Sequence, residues 1–104
     1  VNKVVAESID VEWRSRGGRV FFIPVYDGGE GRMREILTAR NVPSNRMTPI
    51  DDASEMMALD PSNRWIRAEH LPQDIAAVAS SELGQQFIDS KVEVAVARIR
   101  ELVQ

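Results

Sequence analysis

An almost unbroken apolar run, Arg19–Tyr26 (RVFFIPVY), lies between Gly17-Gly18 and Asp27-Gly28-Gly29. Its continuous apolar character, its β-branched and aromatic side chains and the glycines at both ends describe a β-strand covered on two faces. Such a strand needs sheet neighbours and helices packed above and below it. The expectation is therefore an α/β fold, a small single domain with a short, mostly parallel sheet flanked by helices. Pro24 has no backbone donor, which puts the strand at or near a sheet edge, or at a bulge.

The flanking segments supply the helices. Asn2 can cap a helix whose apolar stripe is Val5, Ile9 and Trp13 and which Gly17-Gly18 stops. The alternation of Ile9, Val11 and Trp13 with Asp10 and Glu12 supports a second reading, a strand in a hairpin with Arg19–Tyr26. Beyond the glycines, Glu30–Asn41 carries Met33, Ile36, Leu37 and Arg40 at helical spacing. Residues 41–51 hold two prolines and two asparagines and read as a loop, with an extended piece or second strand near Met47–Ile50. Asp51 or Asp52 can cap a short helix bearing Met56, Met57 and Leu59 and ended by Pro61. After an extended Trp65-Ile66, Pro72 opens a long helix packed through Ile75, Val78, Ala79, Leu83 and Phe87. A break near Asp89-Ser90 then separates it from a final helix carrying Val92, Val96, Ile99 and Val103.

At 104 residues the chain makes one domain, either whole or a piece of a larger protein, as its non-methionine start at Val1 allows. The absence of cysteine excludes disulfides, thiolate chemistry and cysteine-held metal, and suits the cytoplasm, with the periplasm equally compatible. No run approaches the roughly 18–20 apolar residues that cross a bilayer. The net charge of −3 is uneven: residues 1–50 carry eight basic against six acidic side chains, residues 51–104 five against ten. Neither half has the concentrated basic patch that nucleic-acid binding requires.

Several residues are candidates for chemistry. Asp27, Gly28 and Gly29 sit between the expected strand and a helix, where α/β proteins present ligands, although they match neither a Walker nor a dinucleotide motif. His70, the single histidine, could serve as a general base if a carboxylate oriented it. Asp51, Asp52, Glu55 and Asp60 form an acidic group in which close carboxylates could separate their proton affinities, against the plainer role of helix capping. Trp13, Met56, Met57 and Trp65 are the side chains best suited to a protein interface. No metal site and no cofactor is indicated.

The stretch NRWIRAEHLPQDIAAVASSELGQQF resembles the closing segment of SGNH or GDSL-type hydrolases, doubly wound α/β esterases and deacylases in which a histidine block leads into a terminal helix. His70, Leu71 and the helix through Ala76, Val78, Ala79, Leu83 and Phe87 carry the likeness, and GGRVFFIPVYDG is similar to one of the family's late parallel strands. The resemblance implies His70 as a remnant general base. Arg67 stands where the family has an aspartate, and the Gly-Asp-Ser nucleophile element does not occur in this chain, so only His70 carries over. Two functions follow as expectations. The first is a non-catalytic protein-interaction or assembly domain acting through a protein partner or as a homo-oligomer; the second is a hydrolase-like fragment built around His70.

Overall fold

The computed structural model describes residues 2–24, 29–62 and 64–103. Its elements are α1 (Asn2–Arg14), α2 (Gly29–Ala39), α3 (Ser44–Leu59), a 3₁₀ turn (Ala68–His70), α4 (Gln73–Ala76) and α5 (Ser81–Leu102). The described residues contain no strand, so the α/β fold with a parallel sheet is corrected to an all-helical one.

The correction begins at Arg19–Tyr26. Arg19–Pro24 is irregular rather than a strand, and Val25 and Tyr26 lie outside the described residues. An extended segment is stable only if its backbone groups find partners in a ladder. Here the Val20 N–H donates instead to Asp10 Oδ1 at 2.8 Å. The Arg19 guanidinium lies over the Phe21 ring, 4.7 Å from its centroid.

The proposed second strand at Met47–Ile50 is likewise helical, because α3 runs unbroken from Ser44 through Pro49 to Leu59. Proline within a helix removes one hydrogen bond, here to the Asn45 carbonyl, and costs about 3 kcal/mol. Burying an aliphatic side chain returns about 1.5–3 kcal/mol. Met47, Ile50 and Ala53 are all buried on this helix, so packing outweighs the local penalty. Asp51 is accordingly a buried mid-helix residue and not the cap of a shorter helix.

The ends of α2 and α5 follow local chemistry. Asn41 adopts the left-handed conformation (φ 63°). Around it the Val42 N–H reaches the Leu37 carbonyl at 3.0 Å and the Asn41 N–H the Thr38 carbonyl at 3.0 Å. This closes α2 in a Schellman motif, and its hydrophobic pair, Leu37 and Val42, belongs to the core. The long helix expected from Pro72 is divided: α4 ends at Ala76, and Ser80 starts α5 anew by accepting the Leu83 N–H at 3.1 Å. No break occurs at Asp89-Ser90, where α5 continues, with Gln85 bonded to Asp89 and Ser90 to the Gln86 carbonyl.

The core joins Met33 and Leu37 of α2, Val42, then Met47, Ile50 and Ala53 of α3, Ile75 of α4, and Leu83 and Phe87 of α5. Val78 and Ala79 pack against it, so the inward face expected for Ile75, Val78, Leu83 and Phe87 is the observed one. Arg46 clamps the start of α3 to Asp74 through two bonds of 2.6 and 3.0 Å. The α3–α5 contact is a close one: a Cβ placed on Gly84 would lie 1.8 Å from the Ser54 carbonyl oxygen. Ser54 is fully buried there, and its hydroxyl accepts the Ser80 N–H at 3.3 Å.

Gly84→Ala should therefore destabilise the fold. Alanine gains about 1 kcal/mol over glycine in helix propensity. Overpacking against a backbone carbonyl costs on the order of 3 kcal/mol. The expected net loss in denaturant unfolding is about 2 kcal/mol, comparable to the low end of the roughly 2–5 kcal/mol expected for Leu83→Ala. A stabilised Gly84→Ala would contradict the close crossing.

Candidate functional site

Two ionic clusters and several exposed apolar faces are the features able to act. The first cluster centres on Asp10, the one buried side chain of α1. Its carboxylate accepts from Arg14 Nε at 3.0 Å, Arg19 Nε at 2.9 Å and the Val20 N–H at 2.8 Å. The Arg19 hydrogen bond, with those from Val20 and Arg14, holds Asp10 far below the usual carboxylate range despite burial. Asp10 thereby folds residues 19–20 back onto α1 and has no capacity left for a ligand.

The second cluster spans α3 and α5. Lys91 Nζ donates to Glu55 Oε2 and, at 3.4 Å, to Asp51 Oδ2. Asp51 and Glu55 are one helical turn apart, and burial followed by the interaction with Glu55 pushes the Asp51 carboxyl up to about 7. Burial works the other way on Glu55, yet its bonds with Asp51 and Lys91 prevail and hold it below its ordinary value. Of the two carboxyls, Asp51 is thus the one whose proton affinity is raised, while Lys91 is kept charged. Asp51 Oδ1 is buried without a hydrogen-bond partner, and a neutral carboxyl makes that state less costly than a carboxylate would. Glu30, Thr48 and Asp52 join Asp51 and Lys91 around an adjoining cavity of about 280 Å³. This cluster can exchange a proton near neutrality at an interhelical position. The acidic residues that meet are Asp51 and Glu55, not the adjacent Asp51-Asp52 pair, and Lys91 was the partner that sequence reasoning missed.

The sequence candidates for catalysis and ligand binding do not assemble. His70 is exposed at the end of the 3₁₀ turn, and among the described residues no carboxylate is hydrogen-bonded to its side chain. Asp27 and Gly28 lie outside the described residues, and Gly29 opens α2. No group of three or more metal-ligating side chains occurs among the described residues. None of the described helices is long and apolar enough to cross a membrane.

The interface candidates are better placed. Trp13 is 49% exposed and Trp65 59% exposed; Met56 is also exposed and Met57 half-buried. Asp60 holds the segment bearing Trp65: its carboxylate accepts the Trp65 N–H at 2.7 Å and the Ser62 hydroxyl at 2.5 Å. Met57 lines an open groove of about 570 Å³ with Arg64, Ile66, Arg67 and Ala79. On α1, Val4, Val5, Ile9, Val11 and Trp13 are all exposed. The periodicity of Val5, Ile9 and Trp13 correctly marked a helix, but that stripe is not packed into the core.

The buried proton makes a signed prediction. Because the Asp51 carboxyl rises from 3.8 to about 7 on folding, its contribution to stability is full below pH 3.8 and lost as pH climbs through 7. Glu55 acts oppositely, but only below its ordinary 4.5. Lys91 remains charged throughout this window. The stability of Asp51→Asn relative to wild type should therefore rise between pH 5 and pH 8 by about 1–2 kcal/mol, after discounting for partial solvent screening. Urea unfolding at the two pH values checks this; an equal difference at both would show that Asp51 does not carry the proton.

No family model, curated protein or solved structure matches this chain.

Proposed function

We propose that this chain is a non-catalytic protein-interaction domain that works by docking exposed apolar helix faces onto a protein partner. The observation that carries this reading is Trp13, half-exposed at the end of a helix whose larger apolar side chains all face outward. The core of α2, α3, α4 and α5 closes without any of them. Isolated surface apolar residues need no explanation, but Val5, Ile9 and Trp13 recur at one-turn spacing and form a continuous stripe. Trp65 adds a second exposed indole on a loop fixed by Asp60. Tryptophans held in place by their scaffold are favoured interface anchors, since they bury much area for little lost freedom. Each square ångström of apolar surface removed from water contributes about 25 cal/mol, from which the cost of association is subtracted.

Site-specific photocrosslinking in cells tests the proposal. A benzophenone side chain at position 13 or 65 should give protein adducts, whereas the same group at Glu82 or Gln85, exposed polar positions of α5, should give few. Adduct yields at 13 and 65 no higher than at 82 and 85 would overturn it.

A further inference from the structure

The helix α5 has two apolar faces. Its first half packs inward through Leu83 and Phe87. Val92, Val96, Ile99 and Val103 form a second stripe, and they are 54%, 38%, 47% and 72% exposed. At 100° per residue this stripe lies roughly 170° around the helix from the Leu83–Phe87 face. Among the described residues, the chain's own cover for the second half of α5 falls on the other side, where Ile23 shares a shallow cleft with Val94, Ala97, Arg98 and Glu101. Upstream positions on the outer stripe are Gln85 and Asp89, which bond to each other in water. The outer apolar face thus starts at Val92 and extends for about 18 Å.

The stripe has the spacing of a coiled-coil seam. Intervals of four, three and four place Val92 and Ile99 at d positions and Val96 and Val103 at a positions. The flanking e positions are Glu93 and Arg100, and the g positions are Ala95 and Leu102. In a parallel pair the flanks would set Ala95 against Arg100, with no attraction, and β-branched side chains at d disfavour a parallel dimer. In an antiparallel pair each a residue meets a d residue, so that Val92 faces Val103 of the partner subunit and Val96 faces Ile99 of the partner subunit. The same turn of the helices brings Glu93 beside Arg100 of the partner subunit, twice by symmetry, and small Ala95 beside Leu102 of the partner subunit. The stripe is self-complementary in charge and in size about a two-fold axis, which an isologous contact requires.

We propose that residues 92–103 of α5 pair with the same stretch of a second copy as an antiparallel coiled coil, with Val92, Val96, Ile99 and Val103 as the seam and Glu93–Arg100 pairs closing one flank. This rests on the reading of the chain as an interaction domain and adds a second surface, separate from the Trp13 and Trp65 faces, whose partner is the chain itself. The seam is short against the roughly 1,000 Å² of a stable interface, so association is reversible, with a dissociation constant in the micromolar range.

Sedimentation equilibrium of the full chain between about 1 µM and 1 mM provides the test. Wild type should fit a monomer–dimer equilibrium. Ile99→Asp should be monomeric throughout, with an unchanged helical circular dichroism spectrum. Glu93→Arg and Arg100→Glu should each weaken dimerisation about tenfold by setting like charges against each other, and the double variant should recover to within about threefold of wild type. Wild type monomeric at 1 mM, a trimer, or a double variant as weak as the single ones would overturn the antiparallel seam. A dimer that survives Ile99→Asp but is lost in Trp13→Glu would overturn the seam while leaving the association reading intact. Strong crosslinks from position 13 to a different protein, with a monomeric wild type, would do the same.

Discussion

The fold depends on one close approach, the crossing of α3 and α5 where Gly84 meets the Ser54 carbonyl. Any side chain at position 84 would hold the helices apart, and Leu83 and Phe87 would lose their seating in the core they share with Ile50 and Ala53. The buried Ser54 hydroxyl turns the same crossing to a second use, because it receives the N–H of Ser80, the cap from which α5 begins. Position, packing and helix initiation are thereby coupled at a single point. The Lys91 bridge to Asp51 and Glu55 lies farther along the same pair of helices and adds a polar tie where the apolar contact ends.

Much of the helical pattern was legible in the sequence, and the errors have identifiable causes. The α2 stripe of Met33, Ile36 and Leu37 and the inward residues Ile75, Leu83 and Phe87 could be found by periodicity alone, since tertiary packing agrees with the local pattern. Pro49 misled because proline is a strong local signal against helix, yet the buried residues on either side of it outweigh its penalty. Arg19–Tyr26 misled for a different reason. Its composition is that of a strand, but strand formation is a property of pairs of segments, and none of the other extended candidates pairs with it: Met47–Ile50 lies within α3, Ile9–Trp13 within α1, and Trp65-Ile66 forms no strand. Without a ladder, the Val20 N–H turned to Asp10, a bond ten residues back along the chain that apolar periodicity does not reveal.

The candidate functional residues divide in the same way. Trp13 and Trp65 were identifiable by type, and their exposure had to come from the fold. The Asp51 and Glu55 carboxyls bridged by Lys91 were harder to see. Asp51 and Glu55 are one turn apart, but what matters is that Asp51 is buried along with Ile50 and Ser54 and meets Lys91, forty residues further on. His70 shows the converse limit: a residue type suited to chemistry, placed where nothing in the described structure orients it.

The unbroken course of α5 has a consequence for how its two faces are related. They make no contact with each other, and their relative direction is set only by counting residues along a rigid rod. One residue inserted between Phe87 and Val92 would swing the outer stripe by about 100°, and three or four would nearly restore it while moving it outward by about 5 Å. The helix therefore acts as a gauge of both azimuth and reach. Whatever the outer face meets is held at an orientation fixed by the buried end, and the chain can tolerate changes of residue type in this span far more readily than changes of residue number.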